Sequence, residues 1–412
     1  QELQLKQCVE NSLPLHNVFD KTISDMSFER LQSSCIGEKF PDDVLFDFLL
    51  RELEAVVQGT TNSMFSFDEM LSDVDLYCRK SEEKLLVPCG FTTTGGAEVV
   101  LDIGDRYPHY LIGGTTGSGK SNLLHNIIMN ACWNYSPEEL RIYLLDFKEG
   151  VEFSRYANPL LKHAVLVATE ADTEYGISVL KHLVQEKTRR YSLFKANGCK
   201  DLLAYRKSNP TKILPRILVV IDEFQLLFEG SVKDFAIATL SMLAKQGRAC
   251  GIHLVLATQS LKGIDFGALA PQFSGRIALK STAEDSKLLL GGITSSNEEA
   301  AELEIPYAIL NTSQGAVSGN IKYAVPEAKS QVIEAKLLVM SQECVRKRIV
   351  TETKIFEGQS FPKLPDEKEF ENDGKELLLG ENLDYDADLL RIPLSSSLEN
   401  NVIICGHDDQ IK

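Results

Sequence analysis

The chain has 412 residues, 43% of them hydrophobic, and a formal net charge of −16. This size and apolar content support a large buried core and two to three domains. The acidic balance excludes a broadly basic nucleic-acid surface, though not a channel lined by a few Lys and Arg. No apolar run reaches the roughly 18 residues of a membrane-crossing helix, and no charged-then-apolar leader opens the chain; it reads as a soluble, cytoplasmic segment with no membrane span. Nine cysteines lie scattered without CxxC or Cys/His spacing, the pattern of reduced thiols rather than of a metal site.

In chain order, residues 1–84 lack strand alternation and read as a helical accessory or connecting region. Leu45, Phe48, Leu49, Leu53 and Val56 recur at helical spacing after Pro41-Asp42, which predicts a helix over 42–57. A second helix is expected over 65–78. From Leu85 the pattern changes to short strands, 85–87 and 98–101, around a turn at Thr94-Gly95-Gly96. The strand Tyr110-Leu111-Ile112 then leads into Gly114-Thr115-Thr116-Gly117-Ser118-Gly119-Lys120-Ser121, which fits the phosphate-loop pattern GxxxxGK[ST]. Leu123, Leu124, Ile127, Ile128 and Ala131 follow on one helical stripe. Strand, loop and helix together turn the pattern into a mechanism, because backbone N–H groups at a helix N-terminus favour phosphate. The glycines let the backbone curl around the β-phosphate, Lys120 bridges β- and γ-phosphates, and the Ser121 hydroxyl is a ligand for Mg²⁺. ATP and Mg²⁺ are the expected cofactors.

Further along, 140–145 reads as a strand ending at Asp146, and 173–191 as a helix with a charged end, Glu186-Lys187-Thr188-Arg189-Arg190. The unbroken apolar run Ile217-Leu218-Val219-Val220-Ile221 ends in Asp222-Glu223, as a strand buried on both faces does when its C-terminal edge carries chemistry. Asp222 would hold Mg²⁺ through water, and Glu223 would polarise the attacking water. A helix over 235–246 precedes another buried strand, 252–257, that ends at Thr258-Gln259. Gln259 is either a sensor of the γ-phosphate or a solvated strand end. Arg248 is either a cation reaching across a subunit boundary or a helix-terminal arginine facing solvent. Alternation of this kind predicts an α/β fold with a doubly wound, mostly parallel sheet and its ligand at the C-terminal strand edges.

The phosphate loop, Val219-Val220-Ile221-Asp222-Glu223-Phe224, and the long stretch Gly247-Arg248-Ala249-Cys250-Gly251-Ile252-His253-Leu254-Val255-Leu256-Ala257-Thr258-Gln259 resemble the motor domain of the FtsK/SpoIIIE family over roughly 85–326. The resemblance implies a RecA-like P-loop ATPase that assembles into a ring, read here as a hexamer, and pulls double-stranded DNA through its centre by ATP hydrolysis. Carried across, Lys120 and Ser121 bind nucleotide and Mg²⁺, Asp222 and Glu223 are the metal-linked and catalytic acids, and Arg248 matches the trans-acting arginine finger. Arg276 in Ser274-Gly275-Arg276-Ile277-Ala278 is a backup candidate for that role. One stretch departs: where DNA translocases carry Asp-Pro-Lys, this chain has Asp146-Phe147-Lys148-Glu149-Gly150, closer to the branch that drives type VII protein secretion. The alternatives to a DNA motor are therefore a protein-export motor with a secreted protein as substrate, and a nucleotide-gated scaffold. For DNA, Lys148, Arg155 and Lys262 on loops after two strands would point into the channel.

Residues 331–376 read as a linker. At the C-terminus, Asn400-Asn401-Val402-Ile403-Ile404-Cys405-Gly406 repeats the strand-then-glycine entry of the phosphate loop. Residues 377–412 are thus expected to begin a second RecA-like domain, which makes this sequence a fragment of a longer chain. Ile411 before Lys412 replaces the glycine the loop needs and predicts that this second unit is degenerate.

Overall fold

Alternating apolar strands and helices build an eleven-stranded sheet in the computed structural model, which describes residues 66–393 apart from 73, 94–95, 149–151, 263–268, 292–295, 314, 359–375, 383 and 387–388. The strands are β1 (Leu85–Thr92), β2 (Glu98–Ile103), β3 (Tyr110–Gly113), β4 (Leu140–Asp146), β5 (Ala164–Thr169), β6 (Arg216–Asp222), β7 (Ile252–Thr258), β8 (Gly275–Ala278), β9 (Tyr307–Asn311), β10 (Asn320–Ala324) and β11 (Lys354–Glu357). They lie in the order β11-β5-β4-β6-β7-β3-β8-β9-β10-β1-β2. From β11 to β8 every pairing is parallel, and from β8 to β2 every pairing is antiparallel.

Residue parity along the parallel strands divides the core. Tyr110 and Ile112 of β3, Leu218 and Val220 of β6, and Leu140, Ile142 and Leu144 of β4 pack on one face. Leu111, Val219, Ile221, Tyr143 and Leu145 pack on the other, as the two-residue period of a strand requires. The first face is covered by α1 (Phe67–Ser72), α2 (Lys120–Asn134) and α7 (Ser330–Arg346), the second by α3 (Thr173–Ala196), α4 (Leu202–Ser208), α5 (Lys233–Cys250) and α6 (Ala283–Leu290). This is the doubly wound, mostly parallel sheet expected from the alternation of the elements.

Three expectations need revision. The helix expected over 65–78 is confined to α1, because Tyr77 takes a left-handed φ of 60° and turns its ring toward α7, its hydroxyl donating to the Met340 carbonyl at 3.4 Å. The stripe expected on α2 is instead an all-round burial that takes in His125, Asn126, Asn130 and Asn134, with Asn126 Nδ2 donating to the Pro326 carbonyl at 2.9 Å. The segment read as a linker over 331–376 contains most of α7, whose Ile333, Leu337, Met340 and Cys344 are buried, and the edge strand β11. Beyond it, β12 (Glu376–Glu381) and β13 (Leu389–Pro393) pair antiparallel. Between them Tyr385 is buried in the second core, its ring centroid 3.9 Å from that of His182 on α3. The helix expected over 42–57 and the Gly406-to-Lys412 loop lie outside the described residues.

Candidate active site

The parallel register brings the two sequence patterns to one sheet edge. β3 pairs with β7 through Gly113↔Thr258, and β7 with β6 through Ile221↔Leu256, so the phosphate loop, Asp222-Glu223 and Gln259 all emerge at the C-terminal ends of neighbouring strands. The loop is pinned there. The Gly114 N–H donates to the Thr258 carbonyl at 3.2 Å, and the Thr115 N–H to the Lys280 carbonyl at 2.9 Å. Gly117 (φ 77°) and Gly119 (φ 92°) supply the left-handed turns that side chains resist, and α2 starts at Lys120 directly behind Gly119. A Cβ on Gly114 would fall 2.5 Å from Ser118 Oγ, an oxygen that is itself buried without a partner. The loop is therefore held in a tight turn at the N-terminus of α2, an arrangement suited to phosphate.

Lys120 and the two acids are buried together. Lys120 Nζ donates to Asp222 Oδ1 and, at 2.9 Å, to Glu223 Oε1. The same Asp222 Oδ1 accepts the Glu223 N–H at 2.9 Å. Glu223 sits in the left-handed region, φ 51° and ψ 41°, a conformation that sequence does not favour for glutamate and that marks functional sites. Three donors fill its carboxylate: Lys120 and Gln259 Nε2 (2.6 Å) on Oε1, and Gln225 Nε2 (2.6 Å) on Oε2. Gln259 in turn accepts the Thr116 hydroxyl at 2.8 Å, which connects the phosphate loop to the acid. Burial pushes the Asp222 carboxyl up against the pull of Lys120. Glu223 is also opposed by burial, yet Lys120, Gln225 and Gln259 hold it below the usual range.

Two further carboxylates join the edge. Asp146 ends β4 opposite Asp222, and burial raises it to about 7 although it accepts the Lys148 N–H at 3.0 Å. In the sequence it marks only the end of a strand, although an apolar strand closed by a carboxylate is the same signal that marks Asp222. Glu152 is held low first by His125, whose Nε2 lies 3.1 Å away, and also by the Ser121 hydroxyl. Nothing in the sequence pattern joins residues 121, 125 and 152, because helix and loop meet only in the fold.

The remaining candidates lie elsewhere. Arg248 is at the end of α5, just before β7 begins, and so at the opposite sheet edge; its guanidinium is half exposed and 3.7 Å from Asp105 Oδ1. Arg276 is buried, with Nε donating to the Phe273 carbonyl at 3.2 Å and an Nη to the Leu289 carbonyl at 3.0 Å; it ties β8 to α6 and is not brought to the phosphate loop. Lys148 is exposed beside the site. Arg155 is held by the Glu152 carbonyl at 3.2 Å and Ser330 Oγ at 3.1 Å. Lys262 is exposed and paired with Glu284 at 2.6 Å.

The FtsK/SpoIIIE family model matches residues 75–262. The DNA translocase FtsK of Bacillus anthracis is 34% identical over 223 residues, 51% of this chain and 27% of that protein. The DNA translocase SftA of Bacillus subtilis is 32% identical over 220 residues, 52% of this chain and 22% of that protein. The chain thus spans about a quarter of the length of the curated relatives it matches. Among solved structures, the cytoplasmic domain of the Thermomonospora curvata type VII secretion ATPase EccC superposes with a TM-score of 0.56 at 27% identity, covering 63% of this chain and 31% of that one. Among the described residues no helix is long and apolar enough to cross a membrane. The phosphate loop and the Asp-Glu strand both lie inside the matched span, so it is the segment carrying the candidate site that is similar to the FtsK/SpoIIIE family.

Proposed function

We propose that this chain hydrolyses ATP in a ring-shaped motor that translocates double-stranded DNA. The observation that carries the reading is the convergence of Lys120, Asp222, Glu223 and Gln259 on a phosphate-loop cradle at one sheet edge. Lys120 neutralises the two acids; phosphates in the cradle would draw it toward the β- and γ-oxygens, freeing Glu223. Glu223 then takes a proton from water as the water oxygen bonds to the γ-phosphorus. The bond from that phosphorus to the bridging oxygen breaks, and ADP leaves with the electron pair. The Ser121 hydroxyl and Asp222 carboxylate are hard oxygen donors, the set Mg²⁺ prefers, and they would hold it; bound there, the ion would neutralise charge on the phosphates. Gln259, bonded both to the loop and to Glu223, suits a sensor of the γ-phosphate. Arg248 suits a trans role, since β7 separates it from its own phosphate loop.

The relatives named as DNA translocases support duplex DNA as the polymer, with Lys148 and Lys262 as phosphate contacts beyond the site and Arg155 as a third candidate. Asp146-Phe147-Lys148 and the likeness to a type VII secretion ATPase favour protein export as the second reading. We place residues 377–412 at the start of a further domain. ATP turnover at low salt with and without duplex DNA decides between the polymers. Stimulation by DNA that is lost on reversing the charge of Lys148 and Lys262, with basal turnover kept, supports translocation of DNA. Turnover that DNA never alters shifts the assignment to protein export.

A further inference from the structure

The acid read as catalytic has no free oxygen in the structure. Lys120 and Gln259 both donate to Glu223 Oε1, and Gln225 alone donates to Oε2. These donors differ in what holds them. Lys120 belongs to the phosphate loop's helix, and Gln259 is tied to the loop through Thr116, so both respond to phosphate. Gln225 belongs to the same short turn as Glu223, a 3₁₀ segment Phe224–Phe228 whose Phe224, Leu227 and Phe228 are buried and whose Leu226 N–H donates to the Glu223 carbonyl at 3.1 Å. It moves with the acid. Nor is Gln225 a brace of the fold: its amide oxygen is buried without a hydrogen-bond partner, an uncommon arrangement in a purely structural side chain.

Resting on the ATPase reading above, we infer that Gln225 is a positioning residue for hydrolysis, clamping Glu223 Oε2 so that Oε1 is the oxygen released to water when Lys120 and Gln259 turn to the phosphates. A carboxylate rotates easily about its last torsion. Without the clamp it can follow Lys120 or present either oxygen, and the water is no longer held in one geometry. Precision of this kind matters most when the supporting residue is itself fixed by packing, as the buried Phe224 and Phe228 fix this turn.

The test uses single-turnover and steady-state ATP hydrolysis with Mg²⁺ by the full chain. Gln225→Met keeps the shape without the donor; Gln225→Asn, too short to reach, replaces it if the Met variant fails to fold. Either should lower kcat about tenfold, a fraction of the ~10²–10⁴ a positioned base supplies. KM and the Kd of a fluorescent ATP analogue should stay within about twofold. In a Glu223→Gln background the same substitution should cause no further loss, because it acts only through Glu223. Wild-type kcat, a matching rise in KM and Kd, or an equal loss in the Glu223→Gln background each overturns the inference while the ATPase reading stands. Wild-type turnover by Glu223→Gln alone breaks that reading, and the inference with it.

Discussion

Lys120 is a counter-ion in the structure. Its ammonium and the Asp222 and Glu223 carboxylates are all nearly inaccessible to water, and breaking a buried pair leaves an uncompensated charge. Lys120→Met should therefore destabilise the nucleotide-free chain by about 3 kcal/mol, besides weakening nucleotide binding. Urea unfolding without nucleotide checks this; an unchanged midpoint would mean that Lys120 is not the neutralising group. Asp146 allows a second test with a definite sign. Burial raises its carboxyl to about 7, so the folded chain holds a proton that the unfolded one releases near 3.8. Its contribution to stability is present below about pH 4, falls as pH rises, and is gone above about 7. Asp146→Asn has no proton to lose, so its stability relative to the parent should rise by a few kcal/mol between pH 4 and 7, at about 1.4 kcal/mol for each tenfold fall in proton concentration. A difference independent of pH would show that Asp146 ionises normally.

Elements in this chain are joined by buried cations that look like surface charges in the sequence. Arg190 lies in what reads as the charged end of a helix, yet it is 1% exposed. Its guanidinium bonds Glu186 at 2.8 Å, the Pro215 carbonyl before β6 at 2.8 Å and the Cys250 carbonyl at the end of α5 at 2.9 Å. Arg190→Met should cost about 3 kcal/mol, since two carbonyls lose a charged donor and the Glu186 carboxylate is left with Arg189 alone. Arg189→Met, one residue away and exposed, should cost under about 1 kcal/mol. Equal midpoints for the two variants in thermal or urea unfolding would remove the distinction. The helical period places both residues near the charged end of α3; only the arrival of β6 and α5 against one of them separates their roles.

At the scale of the whole molecule, the parallel sheet puts Arg248 and Lys120 at opposite edges. β7 begins four residues after Arg248 and ends beside the phosphate loop, a span of seven residues or roughly 23 Å at 3.3 Å each. One subunit cannot bring the two together, so Arg248 can meet a phosphate only on a neighbour. Arg248→Ala and Lys120→Ala, each inactive alone, should recover measurable ATP turnover when mixed, because a mixed interface can pair an intact loop with an intact arginine. Mixed assemblies confirmed by mass that stay inactive at every ratio would count against the trans role. The exposed ion pair with Asp105 is weak enough to yield to a partner.

Strands β1 to β4, β6 and β7, the phosphate loop and the Asp-Glu pair are legible in the sequence, because each depends on local rules: two-residue alternation, a glycine pattern, an apolar run closed by acids; β5 and β8 to β11 are not among the strands read from it. Those rules also assign α/β architecture and, through the three matched stretches, the resemblance to the FtsK/SpoIIIE family. They do not show which strand lies beside which. That Asp146 stands opposite Asp222, that Gln225 faces Glu223 while Arg276 is spent on backbone carbonyls, and that residues 331–357 supply a core helix and a sheet edge are decided by register and packing between distant segments. Local periodicity reports which side of an element is apolar; what that side, or a charge beside it, meets is determined only when the sheet closes over it.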